Sequence, residues 1–289
     1  MKTCHSEYGR IKSLLLSPAT NSLQSQEKIN QEWKSLFYSK AINFQSALKE
    51  YTDFQELVSR GAKLHLLPQS HASIDAIYCR DASLTTDYGV IICNMGKPAR
   101  NLEPEAQLSH FKSEGIEVLG QIESPGTLEG GDMCWLDEKT LVVGHTYRSN
   151  LEGISQLKNF LEPKGVEIIV VDLPHYKGEN DVFHIMSIIS PIDKKLAVIY
   201  SPLMPISFRK ELLTRGFEFV ECPAEEFESL GCNVLAIAPR EVVINTDNPI
   251  TKQRLEAAGC TVHTYQGFEI SKKGEGGPTC LTRPIYREI

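Results

Sequence analysis

Five short segments, residues 61–66, 115–119, 165–170, 216–220 and 259–263, open on glycine and then alternate apolar with other side chains. Their starts lie 54, 50, 51 and 43 residues apart in a chain of 289. A period of this size marks a repeat architecture, in which each unit buries its apolar face against its neighbours. The repeat is expected to be circular, because the two ends of the chain carry complementary fragments of a unit.

Each glycine-led strand follows a helical pattern. At 151–161 the apolar residues Leu151, Ile154, Leu157, Phe160 and Leu161 share one face of a 3.6-residue period, and Gly165 ends it. The same order recurs at 208–213 before Gly216 and at 251–258 before Gly259, with Pro249 placed for a first turn. Four hairpin patterns intervene: 82–94 turning at Asp87-Tyr88-Gly89, 133–144 at Asp137-Glu138-Lys139, 185–200 at Pro191-Ile192-Asp193, and 234–245 at Pro239-Arg240. A fifth is split between the ends, with 280–285 as the last strand and 9–17 as an unpaired first one. Pairing them closes a ring of five units. No Gly/Ser-rich linker, low-complexity tract or block of like charge interrupts the chain, so residues 1–289 read as one domain.

A hydrophobic fraction of 41% supports a large core, and a net charge of −7 argues against nucleic acid as a partner. No apolar run approaches the roughly 20 residues of a membrane span, nor does the N-terminus carry a signal-peptide apolar region, so a cytoplasmic protein is expected. The eight cysteines lack CxxC or CxxH spacing, which disfavours a zinc knuckle, and most are expected to be buried reduced thiols.

Overlaying the repeats brings one residue from each unit into register at the start of a hairpin: Asp81, Asp132, His184, Asn233 and Cys280, spaced 51, 52, 49 and 47 apart. Glu129 stands three before Asp132. In a closed ring these positions converge on the axis. A thiol is a nucleophile as thiolate, which a nearby imidazole promotes, so Cys280 and His184 form a candidate nucleophile and general acid–base pair. Glu129 is the candidate group that orients the imidazole. Asp81 and the remaining carboxylates would then bind a cation. Asp132 reads either as a substrate contact or as a support, and Asn233 as a substrate contact or a turn residue.

The segments Tyr78-Cys79-Arg80-Asp81, Pro98-Ala99-Arg100, Gly126-Thr127-Leu128-Glu129-Gly130-Gly131-Asp132, Phe183-His184-Ile185-Met186-Ser187 and Gly276-Gly277-Pro278-Thr279-Cys280 resemble the guanidine-modifying superfamily. Its members include dimethylarginine dimethylaminohydrolases, arginine deiminases and amidinotransferases, and the likeness runs from about Gly9 to Arg283. It implies an α/β fold, the five-bladed α/β propeller called a pentein, with ββαβ units around a pseudo-fivefold axis. It further implies a Cys280 nucleophile, a proton-shuttling His184, a supporting Glu129, an Asp81 that grips guanidinium nitrogens, and Arg100 and Arg148 on the substrate carboxylate. Both arginines lie 19 residues beyond a carboxylate, Asp81 and Glu129 respectively. No metal or organic cofactor is implied. The expected partner is a small guanidino substrate, with neither nucleic acid nor membrane, and a homodimer is compatible with the fold.

One departure bears on specificity. Arginine deiminases and amidinotransferases usually carry His-x-Asp, whereas Met186 stands at that place here. A thioether cannot accept hydrogen bonds as a carboxylate does. The resemblance therefore favours hydrolysis of a methylated arginine to citrulline and an alkylamine, with an arginine deiminase or an amidinotransferase as the alternatives. A non-enzymatic alternative is a ribosome-binding pentein similar to the initiation factor that prevents subunit joining. Such a binder needs no thiol, imidazole and carboxylates on its axis.

Overall fold

The computed structural model describes residues 3–289. Strand β1 (Arg10–Leu16) leads through helices α1 (Ala19–Ser22), α2 (Gln26–Glu32) and α3 (Phe44–Val58) to β2 (Lys63–Leu66). Four units follow with a common order. The first is β3 (Ser83–Thr86), β4 (Gly89–Ile92), α4 (Glu103–Ser113) and β5 (Val118–Gln121). The second is β6 (Met133–Asp137), β7 (Thr140–His145), α5 (Leu151–Leu161) and β8 (Glu167–Asp172). The third is β9 (Ile189–Asp193), β10 (Leu196–Ile199), α6 (Ile206–Thr214) and β11 (Glu218–Glu221), trailed by the short α7 (Ala224–Phe227). The fourth is β12 (Leu235–Ala238), β13 (Glu241–Asn245), α8 (Pro249–Ala257) and β14 (Thr261–Tyr265), and β15 (Arg283–Glu288) ends the chain.

These strands form five three-stranded sheets of one design: an antiparallel hairpin whose second strand pairs in parallel with a third reached through a helix. The fifth sheet, β15-β1-β2, takes its antiparallel partner from the other end of the chain, with Leu14 opposite Pro284 and Leu15 opposite Arg283. Neighbouring sheets touch through hairpin strands, β9 with β12, β12 with β1 and β15 with β3. Strands β3, β4 and β12 are buried along their whole length, whereas β2, β5, β8 and β14 keep exposed positions. The hairpins thus line the middle of a five-unit propeller and the third strands its rim. Charged residues such as Lys63, Glu167 and Glu218 on those rim strands discourage pairing with another chain.

The five glycines act one step earlier than their sequence pattern suggests. Gly61, Gly115, Gly165, Gly216 and Gly259 have φ between 64° and 82°, the left-handed turn that ends a helix, and the strands begin two or three residues later. Helix starts are capped by side chains: Ser25 accepts from the Lys28 amide, Asn43 from that of Ser46, and Asn150 from that of Gly153.

Two expected elements are displaced. In the 185–200 hairpin the turn falls at Lys194-Lys195, and Pro191-Ile192-Asp193 lies within β9, while Ile185–Ser187 is a single 3-10 turn. Strand β9 is an edge strand, where proline's missing N–H costs no ladder bond. The last strand begins at Arg283, so Cys280 sits on the turn before it, with the Leu281 amide bonded to the Gly277 carbonyl at 3.1 Å. Among the described residues no helix is long and apolar enough to cross a membrane.

Candidate active site

The turns that feed the hairpins place their polar residues at the centre of the ring. His184 precedes the Ile185–Ser187 turn, Glu129 precedes the Gly130–Asp132 turn, and Asp81 lies just ahead of β3. His184 Nε2 lies 3.0 Å from Glu129 Oε2, and its Nδ1 is 3.9 Å from Asp81 Oδ1. Gly131 is required by this approach, since a Cβ there would collide with the imidazole and crowd the Asp81 carboxylate.

The thiol of Cys280 is held from the other side. Asn233 Nδ2 donates to Cys280 Sγ at 3.3 Å, while Asn233 Oδ1 accepts from the Thr279 amide at 3.1 Å and from its hydroxyl at 2.8 Å. A side chain at Gly277 would strike Asn233, and one at Gly276 would strike the Tyr78 ring. Two adjoining cavities share His184, Cys280, Val182 and Glu275 in their walls. Asp81, Arg100 and Arg148 line one, and Asn233, Met186 and Phe227 the other. Of the residues in register, Asp81, His184, Asn233 and Cys280 line these walls and Asp132 does not.

Their roles within the cluster differ. Arg100 is buried and engaged on all sides, with Nη1 on Asp81 Oδ2 at 2.6 Å and with Nε and Nη2 on the Glu103 carboxylate at 2.8 and 2.7 Å. Arg148 Nη1 reaches both Glu129 oxygens at 3.4 Å and is the looser of the two arginines. Asp132 lines neither cavity: Oδ1 accepts from the Ile185 amide at 3.2 Å, and Oδ2 from the Thr146 and Ser149 hydroxyls at 2.7 Å each. It therefore fixes the turn that carries His184.

Electrostatics set the imidazole apart from the thiol. Burial alone would lower the His184 pKa, but Asp132, the hydrogen bond to Glu129 and the charges of Asp81 and Glu129 raise it to about 9. The imidazole is thus cationic at neutral pH. Burial also works against an ionised Glu129, yet the His184 hydrogen bond and the charges of Arg148 and His184 outweigh it and hold the carboxyl well below its usual range. Asp132 is pushed up to about 6, chiefly by burial. The Cys280 thiol is raised, first by burial and then by the Asp81 charge, and its hydrogen bonds from Asn233 and Thr279 offset only part of this. Asp81, Glu129 and His184 bring one oxygen or nitrogen each within 4.8 Å of one another, and with the imidazole protonated the two carboxylates are the groups that can face a guanidinium.

Sequence reasoning missed Glu103 and Asp75. Glu103 clamps Arg100, and its spacing of three from that arginine was the available signal. Asp75 Oδ2 pairs with Lys97 Nζ at 2.6 Å beside the cavity, a contact across 22 residues that no local pattern announces.

Residues 17–287 match the family described as N,N dimethylarginine dimethylhydrolase, eukaryotic. The uncharacterized protein YkgA of Bacillus subtilis is 25% identical over 285 residues, covering 98% of this chain and 95% of its own. The arginine deiminase of Listeria welshimeri is 27% identical over 253 residues, or 73% of this chain. The match spans only 61% of that deiminase's length. Among solved structures, a cysteine-to-serine mutant of DDAH from Pseudomonas aeruginosa complexed with citrulline superposes with a TM-score of 0.77 at 21% identity, covering 96% of this chain and all of that one. The product-bound N-terminal domain of ArgZ, an arginine dihydrolase from cyanobacteria, gives 0.81 at 17% identity, with 96% and 98% covered. These likenesses show the pentein fold, and the match over 17–287 shows that the chain belongs to the N,N dimethylarginine dimethylhydrolase family of the guanidine-modifying superfamily.

Proposed function

We propose that this protein hydrolyses a carbon–nitrogen bond of a guanidinium group, with an N-methylated arginine as the preferred substrate class. The carrying observation is the His184 imidazole lodged between Glu129 and Asp81 in a wall that also presents Cys280. A guanidinium seated against Asp81 offsets the carboxylate charge that adds to burial in raising the thiol, so substrate binding itself favours the thiolate, whose proton passes to solvent.

The thiolate adds to the guanidinium carbon, and His184 gives its proton to the departing nitrogen as the carbon–nitrogen bond breaks. An amidino-thioether on Cys280 remains. His184, now neutral, takes a proton from water; the hydroxide adds to the same carbon, the carbon–sulfur bond breaks, and a ureido product leaves. Arg148, which shares a cavity wall with Cys280, would take the substrate's carboxylate in this reading, while Arg100 orients Asp81.

Met186, buried at 3% exposure in the wall beside His184, supports methylated over plain arginine. It offers no acceptor for N–H groups but an apolar surface for N-methyl groups. Val182 and Phe227 extend that surface. The deiminase relatives favour a second reading, hydrolysis of arginine itself. Incubation with asymmetric dimethylarginine and with arginine, scoring citrulline together with dimethylamine or ammonia, separates the two. Dimethylamine released at the higher kcat/KM supports the first reading, ammonia the second. Amidino transfer to glycine without citrulline refutes both.

A further inference from the structure

Beside the catalytic cavity the ring buries three arginines and one carboxylate, which contacts the first of them. Arg80, Arg283 and Arg287 are each at most 3% exposed, and they enter from the turn before β3 and from the two ends of β15. Glu7 is their acid, with Oε2 accepting from Arg80 Nη2 at 2.6 Å. Arg283 Nη2 donates to the Arg80 carbonyl at 2.5 Å, and Arg287 Nη1 to the carbonyls of Gly9 and Ala236 at 2.5 and 2.7 Å. Among the described residues, Arg80 Nε and Nη1, Arg283 Nε, and Arg287 Nε and Nη2 are buried and meet no acceptor.

The charges do not balance. Burial, with repulsion from Arg80 adding to it, pushes Arg283 down to about 10 and Arg287 to about 9, so all three guanidiniums remain cationic at neutral pH against a single carboxylate. Carbonyl dipoles and water satisfy buried donors, but a buried charge left without an opposite one is strongly destabilising, and an anion on these N–H groups would supply it. With each guanidinium on a residue at most 3% exposed, only a small anion can reach them.

We propose that Arg80, Arg283 and Arg287 form a binding site for a small monovalent inorganic anion, of the chloride or bicarbonate class, held by their unpartnered guanidinium N–H groups. The site is joined to the chemistry through Arg80, which lines the catalytic cavity, is followed directly by Asp81, and donates its amide to the Cys280 carbonyl at 3.2 Å. Anion occupancy therefore stiffens the two turns that present Asp81 and Cys280.

Thermal unfolding of the full chain in chloride, bicarbonate and gluconate at matched ionic strength tests the site, because gluconate is too large to enter. Chloride or bicarbonate is expected to raise Tm saturably by about 3 °C over gluconate. A response to one of the two alone supports the site and identifies the ion. Glu7→Gln, which removes the competing carboxylate, is expected to lower the half-saturating concentration, and Arg287→Met to raise it. Should Arg287→Met fail to fold, bromide-soaked wild-type crystals provide the decisive measurement, with an anomalous peak expected among the three guanidiniums. Identical Tm in all three salts, together with only water between the arginines, overturns the proposal.

Discussion

At the scale of single residues, the site turns on the proton of His184. Its pKa of about 9 lies above the ordinary 6.5, so the proton stabilises the folded state fully below pH 6.5, and that contribution is lost as pH rises through about 9. In the proposed mechanism the same proton goes to the leaving group, so kcat/KM is expected to fall above about pH 9. Glu129→Gln removes one of the charges that hold it, beside Asp132 and Asp81, and is expected to move this limb to lower pH; a limb that stays in place assigns it to another group. Cys280→Ser is expected to reduce turnover by at least about 1000-fold with Tm unchanged, whereas Cys260→Ser leaves turnover intact. Equal losses in the two variants contradict the nucleophile assignment. The identities of these groups could be read from register and motif. Their division of labour could not, because the hydrogen bonds that occupy Arg100 and Asp132 come from Glu103, Thr146, Ser149 and Ile185, and depend on how the turns stack.

At the scale of elements, the glycines that announce the repeat are conformational stops. Gly61, Gly115, Gly165 and Gly216 have open space where a Cβ would go, so a substitution there is opposed by backbone conformation alone. Gly165→Ala is expected to cost about 1–2 kcal/mol in urea unfolding, and Gly165→Asn less, because asparagine tolerates the left-handed region. Equal costs for the two would mean that side-chain packing is involved. Period-2 alternation located the third strands, but not their first residues, since a helix-ending turn and a strand start look alike in hydropathy. The Pro191 error has the same origin: proline punctuates a central strand and is tolerated on an edge, and edge status is set by neighbours.

At the scale of the whole molecule, closure of the ring is one sheet made from both chain ends. Removing residues 283–289 takes away β15, the strand partner of β1, and with it the buried Arg283 and Arg287. Loss of cooperative unfolding is therefore expected across the whole ring, read by circular dichroism and limited proteolysis; a truncated chain with four intact units would show that the units fold separately. By itself the sequence determined the five-unit repeat, its closure and the central thiol, imidazole and carboxylates, because glycine stops, apolar periods and register are local or periodic signals. Only the tertiary structure decided which carboxylate meets which cation and which guanidinium nitrogens are left buried without an acceptor. Those outcomes depend on distances of a few ångströms between residues up to 278 positions apart, as for Arg287 and Gly9, which no one-dimensional pattern encodes.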